Sequence, residues 1–415
     1  MPQKIVIAGA GFGGAYTFKH LHDHFHESED VELILVNPTN YFLFMPMLHE
    51  VATGGLSPDV VVEPLRKVLG CCLNSFYRAK VQSVDREQRI VQTDSGAISY
   101  DYLVMAVGSK TQFFNVPGAE ENSFTLKSLP DALRLKNHLI STLENASHET
   151  DAQRRRDLLR YVVVGAGPTG VELAAELAEL VHGTFEERFE QQHLAEEVEI
   201  LLVDSGPTPL ARLGEDFGSA SQAALVKRGV HLLLNEQVSR VNSDSIELNS
   251  GRVLKTKTPI WVTGVTPQDV SFTPEIDRSK GGRLLTNEFL QLVGDQRIFA
   301  LGDIAEQQNP ATPAANYQLG QVAARQAKAV AENLTAILAD GAPQPFIYNH
   351  AGDLVSLGRW SAAGKISGVF FSGRFAWWLW RTVYLSKLLS WRKKLKVMVD
   401  WTVNLFSARD TAQIG

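Results

Sequence analysis

An α/β fold in which one βαβ unit occurs twice, the second copy nested inside the first, followed by a helical tail, is what the sequence predicts. Three observations predict it. Two G-x-G-x-x-G turns, Gly9 to Gly14 and Gly165 to Gly170, each follow a strand-like apolar run and open a helical stretch. A further apolar run, Arg297-Ile-Phe-Ala-Leu-Gly-Asp303, lies beyond the second copy. From about Phe371 the composition turns to tryptophan, arginine and lysine.

The elements follow in order. Lys4 to Ala8 reads as a strand, Gly14 to Phe25 as a helix and Val31 to Val36 as a second strand, which is one βαβ unit. Tyr102-Leu-Val-Met-Ala-Val-Gly108 reads as another strand of the same sheet. The polar stretch Glu144 to Asp157 reads as a solvated connection, with a short helix at Arg154-Arg-Arg-Asp-Leu-Leu-Arg160 as the other reading. The second unit runs from Tyr161-Val-Val-Val through the Gly165 turn and a helix to about Val181, and returns as Val198 to Val203. Glu186 to Glu197 reads as a charged, solvated excursion within it. A strand at Thr258 to Thr263 and a helix from about Ala315 to Leu338 complete the body.

With 415 residues, 44% apolar and 21% charged, the chain exceeds one ordinary domain of about 100–200 residues and has globular composition. A formal net charge of −6 argues against a nucleic-acid partner, whose phosphates need a basic surface. The tail differs. Between Ser372 and Arg409 eight bases (Arg374, Arg381, Lys387, Arg392, Lys393, Lys394, Lys396, Arg409) face one acid, Asp400. The adjacent Cys71 and Cys72 cannot staple distant segments or complete a four-ligand zinc site, and a reducing compartment follows. A strand beginning at Lys4 leaves no room for a signal peptide. Arg381, Lys387 and Arg392-Lys393-Lys394 interrupt the sole candidate for a transmembrane helix.

The glycines carry the chemistry. In each turn the first glycine makes the bend, the second lets backbone approach a pyrophosphate, and the third lets helix pack on strand. Gly9, Gly11, Gly13 and Gly14 form the first candidate cradle, and Gly165, Gly167 and Gly170 the second. The residue ending the second strand ordinarily holds the adenosine ribose. That residue is Asp204 in the second copy, which repels a 2′-phosphate and favours NADH over NADPH; in the first copy it is Asn37. Gly302 and Asp303, beyond the second module, suit the ribityl chain and phosphate of a flavin, so FAD is assigned to the first module and NADH to the second. The expected architecture is two nested Rossmann-like dinucleotide-binding domains plus a C-terminal amphipathic helical membrane-docking segment. Its expected bounds are 1–118 and 287–370 for the two parts of the FAD domain, 119–158 for a connection, 159–286 for the NADH domain and 371–415 for the tail.

These residues, with Ala106 and Gly108, Val262-Thr-Gly264 and Phe299-Ala-Leu-Gly-Asp303, resemble the two-dinucleotide-binding flavoprotein superfamily over nearly the whole chain. Within it the chain most resembles the type II NADH dehydrogenases. Pro46-Met-Leu-His-Glu-Val-Ala-Thr-Gly54 is similar to their segment near the flavin, and Gly165-Ala-Gly-Pro-Thr-Gly-Val-Glu-Leu-Ala174 to their NADH fingerprint. Trp378-Leu-Trp-Arg-Thr-Val-Tyr-Leu and Lys394-Leu-Lys-Val-Met-Val-Asp-Trp401 are similar to their membrane-binding end. The resemblance implies NADH:quinone oxidoreduction without proton pumping, as part of a respiratory electron-transport chain. One departure stands out. Where the family's quinone-site helix reads A-Q-x-A-x-Q, an alignment on Val330-Ala-Glu-Asn333 places Gln321 and Arg325, and one on Pro313 places Asn316 and Gly320; either way the second glutamine is missing.

Hydride passes directly between nicotinamide and flavin, so the protein's task is to stack rings and exclude water, and no nucleophile is required. Glu172, after the third glycine, is expected in the first helical turn, facing the nicotinamide end. Glu50, with His49, is a candidate proton source for a reduced quinone, and Gln321 and Arg325 complete the candidate catalytic set. Trp391, Leu395, Met398, Thr402 and Leu405 recur at helical spacing beside the basic residues, which suits an anionic lipid surface on the reducing face of a membrane. A packing or homodimer helix is the other reading of that spacing. Two other functions stay open: a soluble NAD(P)H-dependent flavin reductase or oxidase, and a nucleotide-gated redox-sensing protein. A disulfide reductase or sulfide:quinone oxidoreductase would need separated cysteines.

Overall fold

The computed structural model describes residues 2–70, 75–188, 193–308 and 316–413. Cys71, Cys72, Pro313 and the expected helix start at Ala315 lie outside them. The chain divides into two compact units, one of Met1–Leu43, Val62–Lys110 and Val265–His350, the other of Phe44–Val61, Thr111–Gly264 and Ala351–Gly415.

The first unit is built on a 6-stranded sheet in the order Gln291–Leu292, Asp295–Ala300, Tyr102–Met105, Gln3–Ala8, Val31–Val36, Phe76–Tyr77. Only the outermost pair at the first edge is antiparallel. Ile5, Val6, Ile7 and Ala8 are all fully buried, because a parallel strand covered on both faces is apolar on both. One face meets a core of Val84, Val91, Ile98 and Phe272 from a second sheet, Ser271–Thr273 with Val81–Asp85, Ile90–Thr93 and Gly96–Ser99. The Ile7 side carries the helix Phe12–Phe25, which packs in turn on Gly320–Leu338. That second helix buries Val322, Ala323, Gln326, Ala327, Val330, Ala331 and Leu334, a stripe at three- and four-residue steps.

The second unit repeats the theme with a 4-stranded parallel sheet, Val230–Leu234, Glu199–Asp204, Arg160–Val164 and Thr258–Trp261. Its βαβ helix is Pro168–Glu179, which continues as a π-helical turn, Leu180–Phe185. The antiparallel strands Gly352–Ser356, Ala362–Ile366 and Val369–Gly373 precede two tail helices, Arg374–Lys387 and Trp391–Val403.

Three expectations are corrected. Residues 119–158 are not a plain connection: Leu129–His148 is a 20-residue helix, opened by a Ser128–Asp131 capping box and burying Ala132, Leu135, Leu139, Leu143 and Ala146. The charged residues mask that stripe in the sequence. Ala152–Leu159 is a second helix, with Asp151 accepting from the N–H groups of Gln153 and Arg154, so the short-helix reading of this stretch holds and Glu144 to Asp157 is no linker. The unit boundaries also differ from the expected ones. Phe44–Val61 leaves the first unit for the second because all five residues of the helix Leu48–Ala52 are buried, against Leu129–His148 and Pro168–Glu179. Residues 351–370 join the second unit as well.

Candidate functional site

In the first unit, Gly9 has φ +101°, and a Cβ there would lie 2.3 Å from the Ala106 carbonyl oxygen. A Cβ at Gly14 would lie 1.8 Å from the Gly9 oxygen, so helix and turn touch backbone to backbone. At Gly13 it would meet Leu301 Cδ1 at 3.2 Å. Gly11 is different. A Cβ there meets nothing within 4 Å, and Gly11 caps the helix without a side-chain hydrogen bond, leaving its N-terminal N–H groups and open space for an anion. A pyrophosphate fits this cradle. Asn37 Oδ1 accepts from Ala10 N at 2.9 Å and its Nδ2 donates to Thr39, so this residue ties the turn to the second strand. Ser109 Oγ donates to Asp303 Oδ2 at 2.5 Å, Gln326 Oε1 accepts from Gly302 N at 2.9 Å, and Gln318 Nε2 donates to the Asp303 carbonyl. Gly108 and Gly302 both have positive φ, +75° and +72°.

The second unit has the same construction. Gly165 has φ +109° with a would-be Cβ 2.7 Å from Thr263 Cβ, the Gly170 Cβ would lie 1.8 Å from the Gly165 oxygen, and Gly167 is open. Asp204 does in this module what Asn37 does in the first: Oδ2 accepts from Ala166 N at 2.6 Å, and Oδ1 from Gly206 N at 2.7 Å. Gly264, φ +71°, packs under Phe114, whose Cζ would stand 2.5 Å from a Cβ.

The second unit also holds a buried polar cluster. Glu172 and Glu176 are one turn apart on Pro168–Glu179 and face the helix that carries His49 and Glu50. Glu172 Oε1 accepts from Ser356 N at 3.1 Å, and its Oε2 lies 3.8 Å from His49 Nδ1. Glu50 Oε2 accepts from Trp401 Nε1 at 2.7 Å. Arg409 Nη2 pairs with Glu176 Oε2 at 2.7 Å. Arg381 lies over Trp377 and Trp401, 3.7 and 4.7 Å from the ring centroids.

Burial decides the protonation here. It pushes Glu172 up to about 8, and burial followed by the Glu176 charge pushes Glu50 up to about 7. Burial drives His49 down to about 4, so its imidazole is neutral at pH 7. Burial acts upward on Glu176 too, but Arg409 foremost outweighs it and holds that carboxyl below the usual range. Beside the cluster is a cavity of about 240 Å³ lined by Glu50, Glu176, Trp377, Trp380, Arg381 and Trp401 among others. One water needs roughly 10–15 Å³ of such space, so the cavity admits several waters or a small ring. At neutral pH the arrangement holds one proton on Glu172 and shares a second with solvent at Glu50.

Of the predicted catalytic residues, Glu50 and Glu172 come together in the second unit. Glu172 is buried under the strand Gly352–Ser356. Gln321 and Arg325 belong to the first unit, on Gly320–Leu338. Gln321 is half-buried; Arg325 is exposed, donates to the Asn349 carbonyl and lies 5.3 Å from the Tyr348 ring centroid. Sequence reasoning missed Gln326, Glu176, Arg381 and Arg409. A signal existed for Glu176, which follows Glu172 by four residues on a helix; none existed for Arg409, which reaches the cluster from far along the chain.

Comparison with known proteins now bears on this geometry. The model of the pyridine nucleotide-disulphide oxidoreductase family matches residues 3–327, and that of the NDH2 C-terminal domain matches residues 350–410. The chain is 31% identical to the type II NADH:quinone oxidoreductase Ndh of Mycobacterium tuberculosis, over 98% of this chain and 89% of that protein. The chain belongs to the type II NADH:quinone oxidoreductases. It is 28% identical to the external alternative NADH-ubiquinone oxidoreductase of Yarrowia lipolytica mitochondria, over 99% of this chain and 81% of the relative. In fold it is similar to NDH2 from Plasmodium falciparum in complex with NADH, with TM-score 0.90 and 20% identity over 99% of this chain and 100% of that one. Membership makes the chain a flavin-dependent NADH dehydrogenase with FAD and NADH as its cofactors, as the two cradles suggest. None of its described helices is long and apolar enough to cross a membrane.

Proposed function

We propose that the first unit holds FAD, the second holds NADH, and the buried glutamates of the second deliver protons to a quinone, in the overall reaction NADH + H⁺ + quinone → NAD⁺ + quinol. When bound, FAD supplies the two-electron redox chemistry that side chains lack. Gly9, Gly11, Gly13 and Gly14, with Asn37, Ala106 and Gly108, would form its pyrophosphate cradle, and Gly302 and Asp303 would hold the ribityl end, Asp303 being steadied by Ser109. Gly165, Gly167, Gly170, Asp204 and Gly264 would hold NADH; the Asp204 carboxylate repels a 2′-phosphate. Glu172, protonated at neutral pH, and Glu50, which gains and loses its proton near pH 7 and lines the cavity, stand ready to give protons. Gln321 and Arg325 lie on Gly320–Leu338 of the first unit, where Arg325 fixes the segment at Tyr348–Asn349.

The tail supports docking on an anionic lipid surface at the reducing face of a membrane. Trp391, Leu395, Met398, Val399, Val403 and Phe406 are all exposed large apolar side chains. Three of the five tail tryptophans, Trp377, Trp380 and Trp401, are buried, so the tryptophan contribution to docking falls to Trp378 and Trp391. Leu405 lies past the end of Trp391–Val403 and does not extend its stripe.

The observation that carries this reading is that both glycine cradles and the buried acid cluster lie in a chain whose alignment with a type II enzyme covers 98% of its length. Stopped-flow mixing tests it. NADH should bleach the flavin absorbance within milliseconds, and a lipid-soluble quinone in liposomes should restore it as fast. Recovery with oxygen or a soluble acceptor alone would keep NADH oxidation and remove the quinone.

A further inference from the structure

The last residues of the chain lie across the second unit as a strap. Asn404 Nδ2 donates to the Gly55 carbonyl, Lys136 Nζ stands 3.8 Å from Asp410, and Gln413 Nε2 donates to the Asn137 carbonyl at 3.0 Å. These contacts suffice to fasten a terminus. Arg409 does something else. Its backbone N–H donates to Thr184 Oγ1 at 3.0 Å, in the π-helical turn Leu180–Phe185, and its side chain turns inward. Nη1 donates to Thr53 Oγ1 at 2.9 Å while Nη2 pairs with Glu176 at 2.7 Å, and the pair is only 14% and 10% exposed. A π turn inside a helix is rare and often marks a functional position. Here it presents the hydroxyl that sets the strap's register.

We infer that Arg409 is a positioning residue that keeps Glu176 as a fixed carboxylate beside Glu50 and Glu172, and so sets the pH at which those two glutamates hold their protons. The inference rests on the reading of Glu50 and Glu172 as proton donors only for its consequence in turnover. Two partners at once suit a guanidinium, whose fork reaches Thr53 and Glu176 together; a lysine supplies the charge but not the fork. The groups facing Glu176 are His49 and Glu50 on Leu48–Ala52, Glu172 on its own helix, Arg381 on the tail helix and Arg409 on the strap. His49 is held neutral by burial and contributes no lasting charge at pH 7. Arg381 acts on both Glu50 and Glu176. Among the described residues, Arg409 alone makes a hydrogen-bonded ion pair with Glu176. Without Arg409, Glu176 takes up a proton and its repulsion of Glu50 and Glu172 fades; the weaker attraction of Arg409 itself for the Glu50 carboxylate is lost too and offsets part of that, so both glutamates ionise at lower pH.

Infrared titration of the protonated-carboxyl stretch, on full-length enzyme with FAD bound and no NADH, tests this directly. Glu50→Gln and Glu172→Gln identify the bands. In Arg409→Gln the midpoint of those bands should move down by about one pH unit, a tenfold change in protonated fraction above the midpoint, while Arg409→Lys should move it much less. Glu176→Gln, which leaves the strap untouched, should move it the same way. Unmoved bands in folded Arg409→Gln and Glu176→Gln would overturn the inference. The pH profile of quinone reduction, set against ferricyanide reduction that consumes no protons, tests the donor reading apart from it: shifted bands with an unshifted quinone profile sink that reading and leave Arg409's role standing.

Discussion

Glu172 is a carboxyl that folding takes out of water beside the Ser356 N–H and a neutral His49, and its protonation is the consequence. Burial raises it from an ordinary 4.5 to about 8. A group raised on folding contributes stability that is fully present below its unfolded value and lost as pH rises toward the folded one. For Glu172 that window runs from about 4.5 to about 8. Glu172→Gln keeps the acceptor for Ser356 N and removes the titration. Its melting temperature should therefore match the wild type near pH 5 and exceed it increasingly up to pH 8, by roughly 1–3 kcal/mol in free energy. Quinone turnover should fall in the same variant. Equal melting temperatures across the whole range would mean that Glu172 is ionised in the folded protein.

At the scale of the element, the two glycine turns separate packing from binding. Gly170 is where strand and helix meet, and a methyl there would stand 1.8 Å from the Gly165 carbonyl oxygen. Gly167 faces open space. Gly170→Ala should therefore cost about 1–3 kcal/mol of stability by overpacking. Gly167→Ala should leave the melting temperature unchanged without nucleotide and raise the KM for NADH about tenfold or more, because its methyl occupies the pyrophosphate's approach. Thermal melts and NADH titrations of both variants decide it; equal KM values would place the pyrophosphate elsewhere. These turns were legible because three glycines at fixed spacing encode a backbone contact locally. Leu48–Ala52 was legible as a motif but not as part of the second unit, since five residues carry too little periodicity to say what buries them. The helix Leu129–His148 hides in the sequence because polar residues interrupt its apolar stripe and one charged residue, Lys136, lies among the buried ones. Gln326 and Arg409 act through partners distant in sequence, Gly302 and Glu176, which no local pattern reveals.

For the whole molecule, the proposed docking on a lipid surface divides into a basic and an apolar contribution. Of the eight tail bases, five are engaged within the protein: Lys393 and Lys396 pair with Asp59, Arg409 with Glu176, Lys394 Nζ donates to the Ser386 carbonyl, and Arg381 lies over Trp377 and Trp401. Arg374, Lys387 and Arg392 are exposed. At roughly 1 kcal/mol each near an anionic surface, those three supply about 3 kcal/mol, and salt screens it. Burying Trp391, Leu395 and Met398 in the interface would add about 1.5–3 kcal/mol apiece, which salt does not screen. The apolar term is the larger, so 0.5 M salt should reduce co-sedimentation of the wild type with anionic vesicles without abolishing it. Trp391→Glu, Leu395→Glu and Met398→Glu combined should abolish it at any salt concentration while leaving NADH:ferricyanide activity in place. If salt releases the wild type as fully as the triple substitution does, the basic residues are the anchor and the exposed stripe belongs to a contact with another protein surface.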